Sequence, residues 1–511
     1  MIYIQGKNRK QSIIFPETLD QVIDQDNEVR FIDLFVESIN IADFEFKTKT
    51  VTTEGRPPYH PKDLLKLFIY GYLNSIRSSR VLEKECRRNI EVMWLMKELV
   101  PDHNTISNFR RDNEKAIRKV FKYTVSVAKQ FDLIGGKLIA GDGTKLRAQN
   151  SKKNNFNEKK INQHLQYIAR KLDEYTTALA TADEDNKQII QEEIDKQSQR
   201  KENYHALQKQ LEETGEKQIS ASDPDSRQII IRNGITEVAY NVQTVVDAKN
   251  NLILEYKVTN QTDSKAMGDM LERTGNIIDI KDATALFDKG YYTGSEIKTA
   301  IELGVNIMVA IPAISAHAPD TSYDLEHFTY NKDSDTYTCP QNETLTTNGK
   351  WYSKESSASV IQAKQYKTTA CQKCPMKDKC TKNPKGRRID RSEYSEYIEQ
   401  NKANIEAGKD TYKRRQAIVE HPYGTIKRQW GFYYIMTKRT IQRASADVGL
   451  MFIAYNLRRL MNILDKEAFK KFLQELISLF FKKMKLSNRN TSNISLPLFH
   501  FSTNAQFIKA A

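Results

Sequence analysis

The hydrophobic pattern of the chain changes its period at Gly135-Gly136, and this change constrains the fold more than any other feature. Before it, apolar residues recur at helical spacing, as in the stretch from Pro61 to Leu73. After it come short apolar runs of strand length, separated by turns and helical segments. This order predicts an all-α domain followed by a mixed α/β sheet with helices.

Size and charge narrow the class of protein. A chain of 511 residues with 39 % hydrophobic residues is too long for one core, so several domains or insertions are expected. Lys and Arg exceed Asp and Glu by 79 to 65, and the net charge of +14 favours a polyanionic partner such as nucleic acid. A basic protein without that partner is the alternative. No apolar run reaches the roughly 18 residues of a membrane span, the first residues lack a signal peptide, and the five cysteines suit a reducing cytosol.

The N-terminal region reads as short helices with a basic end. A second helix is predicted from Ser79 to Leu99, ended by Pro101, and Asn104 or Thr105 is the expected cap of a third. Short helices broken by a tight turn are typical of a helix-turn-helix, although a plain helical bundle fits the same pattern. In the helix-turn-helix interpretation, the residues that contact DNA are Asn108, Arg110 and Arg111.

Two further patterns organise the middle of the chain. Residues 156 to 217 are polar and nearly free of Gly and Pro, with an apolar seam from Leu165 to Leu179, which predicts an inserted helical hairpin. The next segment predicts a β-hairpin, then helix, strand, helix and strand. The expected ranges are Tyr240 to Asp247, Leu252 to Thr259, Lys265 to Ile277, Ala283 to Phe287, Ser295 to Leu303 and Val305 to Ile311.

Acidic residues at strand ends are the candidate catalytic groups. Asp142, between two glycines in the first strand, and Asp288, at the end of a later strand, each follow an apolar run. Carboxylates there call for a metal or a basic partner, because an unpaired buried charge is costly. Asp288-Lys-Gly is also good turn chemistry. Asp247 and Asp263 have local explanations, as a hairpin-turn residue and a helix cap.

A third carboxylate, Glu420, lies in a charged helical segment. Glu420 and Lys427 are seven residues apart, which in a regular helix places them on one face. Pro422 and Gly424 interrupt that helix or mark where two helical pieces meet. A solvated charged helix is the alternative interpretation of the segment.

Taken together, these motifs resemble bacterial insertion-sequence transposases of the DDE type, which have a ribonuclease-H-like catalytic domain. The resemblance covers roughly residues 15 to 465. It rests on the order of Asp142, the hairpin, Asp288-Lys-Gly-Tyr-Tyr and a helix with Tyr412, Arg415, Glu420 and Lys427, and on Tyr240-Asn-Val-Gln and Ser222-Asp-Pro-Asp-Ser. Arg415 stands five residues before Glu420, where some relatives have four, which leaves its partner role open.

The resemblance implies that Asp142, Asp288 and Glu420 bind two Mg²⁺ or Mn²⁺ ions and that the protein cuts and joins DNA. The partners would be double-stranded DNA, as element ends and target, and a second copy of the chain in a dimer on DNA at the bacterial nucleoid. The residues expected to hold the DNA backbone are Lys427, Arg415, Tyr412, Lys145 and Arg147. A catalytically inactive DNA-binding protein and a nuclease without strand transfer are the alternatives.

Four of the five cysteines fall in one late segment: Cys339, Cys371, Cys374 and Cys380. Four thiols with one close pair suit a structural zinc site, and four reduced thiols are the equal alternative. Residues 371 to 391 also carry eight Lys or Arg against two Asp, a candidate DNA contact. Cys86, beside Leu82 and Ile90, is expected to be a packed thiol.

These patterns define the expected domain organisation. The ranges are 1–133 for the DNA-binding helical domain, 134–155 and 219–312 for the first part of the catalytic domain, 156–218 for the helical hairpin, 313–395 for the cysteine-containing insertion, 396–485 for the C-terminal helical part of the catalytic domain and 486–511 for a flexible tail.

Overall fold

The computed structural model describes residues 18–47, 57–232, 234–313, 317–355 and 360–487. The chain forms two compact units. Unit 1 comprises Met1–Gly135, Gly143–Gln261 and Glu420–Ala511, and unit 2 comprises Gly136–Asp142 and Thr262–Val419. The predicted flexible tail lies outside the described residues from position 488 onward.

Unit 1 begins with short helices, as the helical spacing predicts. They are α1 Leu19–Val22, α2 Glu28–Glu37, α3 Ile41–Phe44, α4 Pro61–Leu73, α5 Ser79–Arg88, α6 Ile90–Leu95, α7 His103–Asp112 and α8 Glu114–Gln130. The single helix expected from Ser79 to Leu99 is wrong: it breaks at Asn89, whose side chain accepts the backbone N–H groups of Glu91 and Val92 and so starts α6. The expected cap of α7 is also wrong, because Asp102 accepts the N–H groups of Asn104 and Thr105.

The core of unit 1 is completed by the end of the chain. Two helices, α17 Ile441–Ile463 and α18 Lys466–Ser487, return to the N-terminal helices. α17 packs against α4, α7 and α8 and is buried along most of its length. Apolar residues of α17 and of its C-cap form part of the core, since each of these residues is less than a tenth exposed: Leu450, Ile453, Leu457, Leu460, Met461 and Leu464.

Strands of unit 1 form an antiparallel layer. Their ranges are β2 Asn155–Phe156, β3 Ile219–Ser220, β4 Arg227–Arg232, β5 Ile235–Asp247 and β6 Ile253–Thr259. β5 pairs antiparallel with β4 and β6, which confirms the predicted hairpin. The preceding strand, β1 Leu138–Arg147, starts in unit 2 and ends in unit 1, where Ala148 donates its backbone N–H to Val238 at 2.9 Å.

The predicted helical hairpin is confirmed in unit 1. It consists of α9 Glu158–Thr181 and α10 Glu184–Thr214, which pack on each other. The pairing of β2 with β3 brings the two ends of the insertion together at its base. Its small core lies at the same end and comprises Phe156, Ile161, Leu211 and Ile219.

Unit 2 carries the parallel part of the fold. Its first elements are α11 Met267–Gly275, β7 Thr284–Phe287, α12 Gly294–Glu302 and β8 Asn306–Val309, close to the predicted ranges. β7 pairs in parallel with β1 on one side and with β8 on the other. The chain is therefore a mixed α/β protein with parallel and antiparallel strand pairs.

The cysteine-containing segment of unit 2 folds into short antiparallel strands. They are β9 Thr329–Asn331, β10 Thr336–Thr338, β11 Thr344–Leu345, β12 Tyr352–Glu355, β13 Val360–Lys367 and β14 Arg388–Ser392, with α13 Lys377–Cys380 between the last two. The chain continues through α14 Ser395–Ala407, α15 Lys409–Lys413 and α16 Arg415–Tyr423, the last of which runs from unit 2 into unit 1. Within the described ranges no helix has both the length and the apolar character needed to cross a bilayer.

Candidate active site

Two carboxylates lie at neighbouring positions in unit 2: Asp288 directly follows the end of β7, and Asp142 lies in the middle of β1, just beyond the residues that pair with β7. Ala140 of β1 pairs with Leu286 of β7, and Asp142 and Asp288 each follow two residues later. Because the strands are parallel, both carboxylates come to the same edge of the sheet. The side chain of Asp142 is 28 % exposed, and Asp288 is half-buried. The structure thus brings together the first two residues of the predicted triad.

Gly141 permits this close pairing. An ideal Cβ at this position would stand 2.8 Å from Cδ1 of Phe287 and still nearer to two other atoms of the ring. Phe287 is only 1 % exposed and packs on Tyr291, with ring centroids 5.0 Å apart. Glycine before Asp142 therefore allows the Phe287 ring to approach the backbone of β1 closely.

Two side chains from the following helices complete the group in unit 2. Tyr412 donates its hydroxyl to the carbonyl oxygen of Phe287 at 2.9 Å, and Nη1 of Arg415 lies 3.6 Å from Oδ2 of Asp142. Burial raises the pKa of Tyr412; nearby Arg415 opposes that rise, and Asp288 adds to it. We call Asp142, Asp288, Tyr412 and Arg415 the strand-end cluster.

Arg415 is the cation of this cluster. Its side chain is 17 % exposed, and in the described part of the chain its buried Nη1 has no hydrogen-bond partner. Nη1 therefore pairs with Oδ2 of Asp142 as an ion pair at 3.6 Å and without a hydrogen bond.

Asp288 also has the turn role that its sequence allows. It ends β7 and caps a 3-10 turn, Lys289–Tyr291, by accepting the N–H of Lys289. Asp263 approaches this turn, because a Cβ at Gly290 would lie 3.7 Å from its Oδ2. The expectation that Asp263 caps α11 is wrong: it opens a separate 3-10 turn, and α11 starts at Met267.

In unit 1, Glu420 is exposed on α16, and the helix changes form soon after it. α16 contains Pro422 and ends at Tyr423, and a π-helical segment follows over Gly424–Gln429. The prediction that Glu420 and Lys427 share one face of a regular helix is therefore wrong. Lys427 lies in the π-helical segment, whose hydrogen bonds span one residue more than those of an α-helix. The alternative, a junction of two helical pieces at Pro422, is confirmed.

Lys427 is held against the end of β1 within unit 1. Its Nζ donates to Oγ1 of Thr144 at 2.8 Å and to the carbonyl of Lys145 at 3.2 Å. Burial lowers the pKa of Lys427, and the neighbouring charge of Lys145 lowers it further. Arg147 is exposed at the end of the same strand, where its backbone pairs with that of Tyr433 and Ile435.

The three N-terminal residues predicted to contact DNA differ in how far they are buried. Arg110 is 4 % exposed and donates to the hydroxyl of Tyr72 and the carbonyl of Arg77, with Asp447 at 3.5 Å. It is a core ion-pair partner, so the prediction of a surface contact is wrong for this residue. Arg111 is exposed and pairs with Asp112 at 2.6 Å, and Asn108 is half-buried.

The cysteines also separate into two groups. Cys86 is 2 % exposed and burial raises its pKa to about 11, which confirms a packed thiol in unit 1. The other four are half-buried, unoxidised and gathered around one cavity in unit 2: Cys339, Cys371, Cys374 and Cys380. The sequence predicts these four as one possible zinc site, and the structure places them around the same cavity.

The strand-end carboxylates suit a divalent cation chemically. Asp142 and Asp288 are the hard oxygen donors that Mg²⁺ and Mn²⁺ prefer, and they occupy neighbouring positions on adjacent strands. Over the described ranges, no group of three or more His, Cys, Asp or Glu side chains is preformed as a metal site.

Two domain-family models match parts of this chain. A family model described as Transposase domain (DUF772) matches residues 17–112, and one described as Transposase DDE domain matches residues 338–461. A search of curated proteins finds no match. One solved structure, a piggyBac transposase synaptic complex with hairpin DNA, aligns over 94 % of this chain and 88 % of its own, at 8 % identity and a TM-score of 0.29. A likeness of that size carries no argument.

Proposed function

We propose, from the premise that this chain is an insertion-sequence transposase of the DDE type, that Asp142, Asp288 and Glu420 are its catalytic carboxylates. In this proposal the protein binds the ends of its element, cuts DNA there and joins the freed strand to a target. The observation that carries the proposal is the parallel register of β1 and β7, which puts Asp142 of β1 beside Asp288 at the end of β7, with Arg415 3.6 Å from Asp142.

Glu420 is the third carboxylate for two reasons. It lies inside the segment that matches the DDE domain, and it shares α16 with Arg415, the partner of Asp142. Glu420 follows Arg415 by five residues, which is a rise of about 7.5 Å along the axis of an α-helix. Its side chain is exposed, as a ligand for an ion must be before that ion binds.

We assign the catalytic fold to the ribonuclease-H-like class. β1 is followed by the antiparallel hairpin β5–β6 and then by β7 and β8, which run parallel to β1. The two carboxylates come from β1 and from the end of β7, the first and fourth strands of this series. The helical hairpin and the cysteine-containing segment are insertions into the series.

The residues present define the chemistry. Bound Mg²⁺ or Mn²⁺ ions would supply an activated oxygen nucleophile and stabilise the leaving oxygen. Arg415 lies beside Asp142, and its unbonded Nη1 offers a donor to a phosphate oxygen. Tyr412 fixes α15 to the last residue of β7. The residues that would hold the DNA backbone as charges or donors are Lys427, Lys145, Arg147, Arg111 and Asn108.

The test is end cleavage followed by strand transfer. The full chain is incubated with Mn²⁺ and labelled DNA carrying its element ends, beside Asp142→Asn, Asp288→Asn and Glu420→Gln. Asp410→Asn is the matched control, because Asp410 lies in α15 near Tyr412 but is 95 % exposed. We expect cleaved and joined products from the parent and the control, and neither from the other three variants while they still bind DNA.

Each alternative result would lead to a different conclusion about this chain. End binding without cleavage by the folded parent would mean a catalytically inactive DNA-binding protein. Cleavage without joined products would mean a nuclease. Cleavage that survives in Asp288→Asn at the parental rate would remove Asp288 from the site.

We also propose that two copies act together on DNA at the bacterial nucleoid, since transposition requires two element ends held in one complex. The mass of the protein–DNA complex, measured in solution with paired ends, should correspond to two chains. A single chain that cuts both ends at full efficiency would contradict the dimer.

A further inference from the structure

The four late cysteines surround one small cavity in unit 2. Cys339 follows β10, Cys371 and Cys374 lie in the turn after β13, and Cys380 ends α13. All four line a cavity of about 30 Å³, together with Lys377 and Arg387. A space of roughly 10–15 Å³ already admits a water molecule, so this cavity has room for an ion.

The fold around this cavity has little apolar core of its own. Its buried cluster consists of Phe328, Tyr337, Leu345, Tyr366 and Ile389, and Cys339 and Cys380 pack against its edge. The strands that carry these residues are short, and β9, β10 and β11 have only three, three and two residues. Segments this thinly cored are typically stabilised by disulfides or a metal.

The backbone makes close contacts with two of these cysteines, Cys339 and Cys371. The N–H of Gln341 donates to Sγ of Cys339 at 3.3 Å, so the turn after this cysteine already solvates its sulfur. Gly386 has a φ of 93° and closes over Cys371, where a Cβ would lie 2.5 Å from that of the cysteine. Only glycine combines this backbone conformation with so close an approach.

The charges beside the cavity complement a metal–thiolate centre. Four thiolates around a divalent ion carry a net charge of −2. Lys377 and Arg387 line the cavity as cations and Glu343 lines it as an anion, so the lining offsets one of these negative charges. Within the described chain, Nε of Arg387 is buried and makes no hydrogen bond, so it is a donor with no acceptor. A thiolate in the cavity would provide that acceptor.

We propose that Cys339, Cys371, Cys374 and Cys380 bind one structural Zn²⁺ ion. Four soft sulfur ligands select zinc over the oxygen-seeking ions expected at the strand-end cluster. Since no described group of three such side chains is preformed for a metal, the thiols turn inward as the ion binds. Burial raises the pKa of Cys380 above its usual value, Arg387 opposes this rise, and the other three cysteines add to it.

The test measures metal content in the full chain, purified with zinc and without chelators. We expect about one zinc per chain in the parent, and a tetrahedral thiolate spectrum after replacement by Co²⁺. Cys371→Ser and Cys374→Ser should lose the metal. Cys86→Ser is the matched control, because Cys86 is a buried thiol outside the cavity, and it should keep the full zinc content.

Two measurements on the parent protect the test against variants that fail to fold. A chelator should remove the ion and lower the melting temperature of the parent, and added zinc should restore it. Thiol titration of the chelated, denatured chain should count five reactive groups. A folded parent without zinc, a count of one thiol caused by two disulfides, or equal zinc loss in Cys86→Ser would each overturn the proposal. None of these results depends on transposase activity.

Discussion

Replacing Gly141 by alanine should damage the strand-end cluster without touching a carboxylate. A Cβ at this position would stand 2.8 Å from Cδ1 of Phe287 and nearer still to the rest of the ring edge. Carbon atoms pack at about 3.5–4.0 Å, so the ring must move by on the order of 1 Å. Phe287 is buried between β1 and Tyr291 and directly precedes Asp288, so its movement displaces that carboxylate.

The expected cost has two parts. Overpacking a buried site lowers the free energy of unfolding by about 1–3 kcal/mol. A displacement near 1 Å at the reacting groups lowers the cleavage rate by roughly 100-fold. Gly275→Ala is the control, because its Cβ would meet Ile280 at an ordinary 3.4 Å in the same unit.

Denaturant unfolding and end cleavage measure the two parts separately. Gly275→Ala should stay within about 0.5 kcal/mol of the parent and cut DNA normally. If Gly141→Ala matches the parent in both assays, the close approach of β1 and Phe287 does not position Asp288, and the reasoning fails.

Three further predictions follow from buried or paired charges. Arg110→Ala should destabilise unit 1 by about 3 kcal/mol, because it removes one of the two arginines, Arg110 and Arg77, that pair with the fully buried Asp447 and leaves it one cation besides its hydrogen bonds from Tyr72 and Met436. Arg111→Ala should weaken DNA binding at unchanged stability; equal effects of the two variants in unfolding and DNA-binding titrations would contradict this division. Burial opposes ionisation of Glu37, but hydrogen bonds from Lys66 and Lys62 outweigh it and lower its pKa to about 2 from 4.5. Its contribution to stability is therefore complete above pH 4.5 and is lost as the pH falls toward 2, and Glu37→Gln should flatten that part of the stability curve measured by denaturant unfolding. The lowered pKa of Lys427 means that its charge is lost earlier as pH rises, so cleavage by the parent should decline at lower pH than cleavage by Lys427→Arg; coincident alkaline limbs of the two rate profiles would exclude a role for this charge.

The sequence predicts best those parts of the fold that depend on local periodicity. The seam from Leu165 to Leu179 specified α9, and the alternation around Tyr240 and Leu252 specified the β5–β6 hairpin. Asp142 and Asp288 were recognisable because each follows an apolar run, and parallel pairing then makes them neighbours.

Other features depend on partners far away along the chain. Arg110 looks like a surface residue in its own helix, yet Tyr72 and Asp447 hold it in the core. The strand β4 was missed because Arg-Gln-Ile-Ile-Ile-Arg does not alternate, and Ile230 in it is 64 % exposed. The π-helical segment after Pro422 was foreseen only as an interruption, since a proline indicates where a helix changes but not what replaces it.

The position of Arg415 relative to Asp142 is set by the elements that flank the cysteine-containing insertion. After β8 the chain leaves the parallel strands of unit 2. It returns to β8 at α14, which packs against that strand. Asn401 is fully buried there; its Oδ1 accepts the N–H of Val309 at 2.7 Å and its Nδ2 donates to the carbonyl of the same residue at 3.0 Å. Asn404 donates to the carbonyl of Ile307 at 3.1 Å.

These amides satisfy the backbone groups that β8 would otherwise leave unpaired, as an edge strand requires. They also fix the start of the helical run from α14 through α15 to Arg415, and the bond from Tyr412 to Phe287 fixes its end. The residues between β8 and α14 can therefore vary in length and content while Tyr412 and Arg415 keep their places beside Asp288 and Asp142. This anchoring explains how residues separated by more than a hundred positions form one cluster, and why the zinc binding that we propose for the insertion is compatible with an unchanged strand-end cluster.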